Sequence, residues 1–254
     1  MNFNFYRLLT NKKSLFIILL IVFYPIIDLI LLNYQWKEKF IPNQSVFLVG
    51  NSEGHMMQIL FLWFLPIYLL IMVCENYIQD LSSGENNILI LKLGKKKYFG
   101  SYLLFSFISS FSVTFLSLFF NFILSFIINM DGLQNPSAHI SQKLLDLKPL
   151  LAFQLHHPTM TNLTFILISS FLVGILAVTI TSICFIFPSR KYAYFLSFAL
   201  WYLLIMGNKS ILLIFQPFTE YSFSHLLHIF LQTIILFSCI ICTSYVYKVK
   251  TDEI

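Results

Sequence analysis

Residues 162–187 read NLTFILISSFLVGILAVTITSICFIF. These 26 positions carry no charged side chain, and their polar members are Asn, Ser, Thr and Cys. About 20 mostly apolar residues in a helix cross roughly 30 Å of hydrocarbon. The run lacks the alternation of a barrel strand. Lipid offers no partner to a backbone N–H or C=O, so a run of this kind satisfies its own backbone as a helix. It therefore predicts a membrane span.

Five more apolar runs surround it, at 14–34, 56–74, 101–129, 192–207 and 225–247. Of 27 formally charged residues only Asp28 falls inside the six runs. The whole composition agrees: 58% hydrophobic, 11% charged, mean hydropathy +0.80. Soluble domains carry about 25% charged residues, so a soluble enzyme and a nucleic-acid-binding chain are both excluded. Four cysteines, all in apolar runs or at their ends, form no disulfide framework. The longest stretch between runs, 130–161, is too short for a soluble domain. The chain 1–254 thus reads as one all-α transmembrane domain of six helices.

Lys and Arg set the orientation. With the N-terminus in the cytoplasm, the inner pieces 1–13, 75–100, 188–191 and 248–254 hold 11 basic residues in 50 positions. The outer pieces hold five in 70: Lys37, Lys39, Lys143, Lys148 and Lys209. Both termini are therefore expected inside. The first run is too long for a signal peptide and no small-residue cleavage site follows it. A bias toward Asn, Lys, Ile and Phe points to an AT-rich bacterial genome, and so to a bacterial cell membrane.

Chemistry-bearing motifs are sparse. No Walker-type G-x-x-x-x-G-K-[ST], H-E-x-x-H or G-x-S-x-G occurs. Cys239 and Cys242 have redox spacing but lie in the sixth run, where cysteine packs as a small apolar residue. His156 and His157 lack a third ligand nearby. His225 and His228 share a helix face at the outer end of the sixth run, where a polar pair faces water or serves transport. A buried acid costs about 2.5–3.5 kcal/mol on insertion scales, so Asp28 needs a reason. It follows Pro25, whose missing N–H frees a carbonyl. Asp28 either meets a solvated cavity or an outer polar group, or lies on a substrate path. Ser112 and Thr179, on the third and fourth runs, are path candidates too, with helix packing as the plain alternative.

The segment after the second run is the most informative. It reads ENYIQDLSSGENNILILKLGKKKYFG from Glu75 to Gly100. An acidic helix end passes into a Ser82-Ser83-Gly84 turn, a short apolar helix or strand follows, and a basic cluster opens the third run. This resembles the first cytoplasmic loop of ABC-2-type exporter permeases, with Glu75, Gly84, Leu91 and Lys97-Tyr98 in the matching places. The family's later lysine in the third span is missing, since Ser101 and Tyr102 stand there. The layout is also similar. Residues 2–11 suit a cytoplasmic amphipathic helix before the first span. Residues 208–224, with apolar 211–218 broken by Pro217, suit a re-entrant stretch before the sixth. In size the chain looks closest to peptide exporters of Gram-positive bacteria, including lantibiotic-immunity and modulin-type toxin exporters.

The resemblance implies a type V exporter-like permease without an ATPase site of its own. Two cytoplasmic ABC ATPase subunits would bind ATP and magnesium, and a second copy or sister permease would complete the pathway. No cofactor would be held by this chain. The coupling segment 75–100 would seat Ile88, Leu89 and Leu91 in an ATPase groove. Glu85, Lys92 and Lys95 would set charge register, and Glu75, Asp80 and Gly84 would frame the turn. Cargo would be hydrophobic or amphipathic, such as a peptide, toxin or antimicrobial, since 29 Phe and few charges make a greasy path. Rival readings are an integral membrane enzyme, an ATP-independent transporter and a membrane-bound immunity or scaffold protein. The first needs paired acids or His clusters at membrane depth, and the second needs several intramembrane charges.

Overall fold

The computed structural model describes residues 2–36, 55–129, 148–207 and 209–251. Lys37, Lys39 and Lys143, counted above among the outer cations, lie outside the described residues, as does residue 208 of the expected re-entrant stretch. Every regular element among the described residues is helical. In chain order these are α1 (Asn2–Thr10), α2 (Lys12–Trp36), α3 (Met56–Trp63), α4 (Leu65–Ser83), α5 (Glu85–Leu93) and α6 (Lys95–Ile128), followed by α7 (Pro149–His156), α8 (Pro158–Ile186), α9 (Arg190–Ile205) and α10 (Phe223–Thr251). A 3-10 turn at Ile211–Ile214 precedes α10.

Four helices, α2, α6, α8 and α10, are long and apolar enough to cross a membrane, and the bent pair α3–α4 makes up to five. The chain is an all-α protein of multi-pass membrane character. At about 1.5 Å per residue, the 34 residues of α6 exceed any bilayer core, whereas the 16 residues of α9 measure only about 24 Å.

The expected second span, 56–74, is not one straight helix. It bends by 60° at Phe64, between α3 and α4. Pro66 explains the break, because a proline cannot donate to the carbonyl four residues before it. That carbonyl, of Leu62, instead accepts from the indole Nε1 of Trp201 on α9 at 2.8 Å. Pro25 in α2 has the same problem and the same kind of solution: the carbonyl of Ile21 accepts from Ser117 on α6 at 2.8 Å. Both prolines sit in helices that remain satisfied because a neighbouring helix supplies the missing donor. Residues 70–74 of α4 form a turn of π-helix.

The core is built on α6 and α8, with α2 and α10 packed on them. The buried face of α6 repeats small polar residues at helical spacing, at Ser106, Ser110, Thr114, Ser117 and Asn121. Small residues let membrane helices approach closely. Gly174 of α8 shows how closely: a Cβ there would stand 2.9 Å from the Phe107 ring. Most of the hydroxyls bond back to their own helix, as Ser170 does to Ile166 and Ser182 to Val178. A few link helices: Ser106 and Thr181 lie 2.7 Å apart, and Thr181 meets Cys74 at 3.4 Å. The outer faces of the long helices expose large apolar side chains such as Phe16, Leu116, Leu167 and Ile235, as a lipid-facing surface requires.

Candidate functional site

The segment 75–100 gathers at one end of the bundle. α1 and the starts of α2 and α9 join it there, because Arg7 contacts Asp80 and Arg190 contacts Glu75. Tyr245, near the end of α10, donates to the carbonyl of Lys96 at 3.3 Å. This basic end holds Lys12, Lys13, Lys95, Lys96, Lys97, Arg190, Lys191, Lys248 and Lys250.

Two glycines shape the segment. α4 runs past Glu75 to Ser83 and stops at Gly84, which has φ +75°. That left-handed conformation costs other residues about 1–2 kcal/mol. α5 stops at Gly94, whose φ of 79° and ψ of 148° fall in a region essentially reserved for glycine. The nine residues of α5 are thus held between two sharp turns. Glu85 in its first turn and Lys92 in its last complement the helix dipole.

α5 divides its apolar residues. Ile90 is 5% exposed and anchors the helix to the bundle, and Leu89 packs half-buried against the same core. Ile88 and Leu91, one turn apart, are 56% and 68% exposed. Of the three residues expected to dock a partner, two stand open and Leu89 turns partly inward. Lys92 is exposed, and Lys95, half-buried, opens α6.

Two of the segment's three acids, Asp80 and Glu75, are structural anchors. Asp80 is fully buried. Its Oδ1 takes Arg7 at 2.5 Å, and its Oδ2 accepts from the Tyr102 hydroxyl. Burial lowers the pKa of the Arg7 guanidinium, but the hydrogen bond and charge of Asp80 more than offset this and raise it above its ordinary value. The pair ties α1 to α4 and α6. Glu75, also buried, takes Arg190 Nη2 at 2.5 Å and ties α4 to the start of α9.

The three path candidates lie on three helices. Asp28 sits on α2 at the opposite end of the bundle, 1% exposed. His55 Nδ1 stands 2.5 Å from its Oδ2, while the backbone N–H groups of Met57 and Gln58 donate to Oδ1 at 3.1 and 3.4 Å. Those are first-turn donors of α3, so Asp28 caps that helix from a neighbouring one. Thr179 is buried on α8 and donates to the carbonyl of Ile175 in its own helix. Ser112 is half-buried on α6. His55 escaped the sequence reading because it lies just outside the apolar run. The available signal was the need of a buried acid for donors at its own depth.

The remaining motifs are peripheral. Cys239 and Cys242 are exposed along α10. His228 lies 3.4 Å from Lys209 Nζ, His225 stacks on Tyr221, and His157 packs on Phe153.

No protein-family model matches this chain. No solved structure matches it either. Over 254 residues, the full length of both proteins, it is 36% identical to the uncharacterized protein YybM of Bacillus subtilis (strain 168). Similarity of that extent, end to end, places the chain in the same family as YybM.

Proposed function

We propose that this chain is the membrane-spanning permease subunit of an ATP-driven ABC-2-type exporter in a bacterial cell membrane. The observation that carries the reading is α5. A short helix outside the apolar spans is fixed between Gly84 and Gly94 and leaves Ile88 and Leu91 open. Exposed apolar residues on a soluble-facing helix call for a partner. Asp80–Arg7 and Glu75–Arg190 brace the surrounding helices, so force on α5 is passed to α1, α4, α6 and α9. In this reading two cytoplasmic ATPase subunits seat on α5 of two permease copies, and closure of the ATPases rocks the spans. α9 serves as the fifth of six crossings, and the 3-10 turn at Ile211–Ile214 belongs to a re-entrant stretch.

An apolar cargo suits the far end of the bundle. A cavity of about 550 Å³ there is bordered by Phe153, Phe165, Phe223, Leu226 and Phe230. The test is co-purification from the native host in mild detergent. A P-loop ATPase should accompany the wild-type chain. Ile88→Asp with Leu91→Asp should reduce its yield at least tenfold while the permease keeps its thermal stability. An ATPase retained at full yield by the double variant, or none with the wild type, overturns the proposal.

A further inference from the structure

A second cavity lies at the basic end, between α2, α4 and α9. It measures about 430 Å³. Lys13, Glu75, Arg190 and Tyr194 supply its polar lining, and Phe16, Ile17 and Ile71 its apolar wall. We propose that it binds the phosphate-bearing headgroup of an anionic membrane lipid, with Lys13 and Arg190 as the anion's ligands.

Charge and position both favour this occupant. Glu75 is the one acid on the cavity wall, and it takes a single nitrogen of Arg190. A guanidinium has five N–H donors, so Arg190 is held in place with donors to spare. Lys13 forms no ion pair among the described residues, which leaves the cavity one positive charge in excess. Lys12 and Lys191 flank it in sequence. An anion completes the balance.

Depth separates a lipid from a free ion. Lys13 stands at the start of α2 and Arg190 at the start of α9, where each helix passes from basic to apolar sequence. That is the level of the headgroups. The apolar wall begins within a turn of Lys13, and Phe16 is 60% exposed. A molecule anionic at one end and apolar at the other fills both halves of the cavity, whereas inorganic phosphate leaves the apolar half empty. Basic pockets between membrane helices are known anionic-lipid sites. The inference needs only the membrane setting and stands apart from the export reading.

The experiment is native mass spectrometry of the full chain, incubated with equal amounts of phosphatidylglycerol and phosphatidylcholine. Phosphatidylglycerol should be retained preferentially. Lys13→Gln should lower that retention about fivefold, the worth of one basic residue near a charged headgroup. Lys13 is exposed and unpaired, so the variant should unfold at the wild-type temperature. Lys250→Gln, which removes an exposed charge at the same end but away from the cavity, should change nothing. Equal retention of the two lipids, or equal losses in the two variants, overturns the site. Displacement of the lipid by inorganic phosphate at comparable concentration would make it an ion site and overturn the lipid assignment.

Discussion

Asp28 and Asp80 are buried at opposite ends of the bundle, and each is matched by donors from other helices. Asp28 binds His55, 27 residues beyond it, and the first turn of α3, and so fixes how α3 enters. Removing one partner of a buried pair typically costs about 3–5 kcal/mol, because the other stays buried without its match. His55→Ala should therefore destabilise the detergent-solubilised protein by about 3 kcal/mol. Asp28→Asn should weaken it as well, and the double variant should lose far less than the sum, as partners in one network do. Thermal unfolding of the four proteins measures this. Additivity within about 0.5 kcal/mol would mean that the two side chains do not stabilise each other. Asp28 stood out in the sequence because an acid inside an apolar run is an exception. Its partner did not, since a histidine between apolar runs is ordinary and only folding brings it to the acid's depth.

The helix positions were mostly legible, and their ends and bends were not. Apolar runs report where hydrocarbon begins, not where hydrogen bonding stops. Hence the run 56–74 ends at Cys74 while α4 continues to Ser83, and α6 starts at Lys95 rather than at residue 101. The bend at Phe64 was signalled only by Pro66, and Pro25 shows that an identical signal can leave a helix continuous. Both freed carbonyls receive a donor from elsewhere, Trp201 for one and Ser117 for the other, so the proline by itself does not decide whether the helix breaks. Ser117→Ala should orphan the carbonyl of Ile21 and cost about 0.6 kcal/mol, the average for interhelical hydrogen bonds in membranes, and at most about 1.7 kcal/mol. Pro25→Ala returns an N–H to that carbonyl, so in its background the cost of Ser117→Ala should shrink toward zero. Equal costs in both backgrounds would show that Ser117 acts through packing instead. The open face of α5 was only partly legible for a related reason: ILIL at 88–91 does not say which residue anchors and which is displayed, and the two flanking glycines decide it.

Across the whole molecule, the connectivity of α9 carries the topology. Its first residue, Arg190, pairs with Glu75 at the basic end. The chain leaving it returns at Glu220, whose carbonyl accepts from Lys148 Nζ at 3.0 Å, just ahead of α7. Sixteen helical residues fall short of about 30 Å of hydrocarbon. Beyond α9, Ile211, Leu212, Ile214 and Phe215 are buried against the bundle, with the Phe215 ring edge-on to Trp201 at 6.3 Å. The proposal that α9 and the buried 3-10 turn together make a crossing predicts that Ser189 and Lys209, on either side of α9, face opposite compartments. With the four native cysteines replaced, Lys209→Cys should react with a membrane-impermeant maleimide on intact cells and Ser189→Cys only in inverted vesicles. Labelling of both from one side would make α9 a hairpin-like insertion, leave an odd number of crossings, and put the two chain ends on opposite faces of the membrane. That arrangement would contradict the packing of Tyr245 of α10 against Lys96 at the basic end, so the labelling result bears on the whole bundle and not on α9 alone.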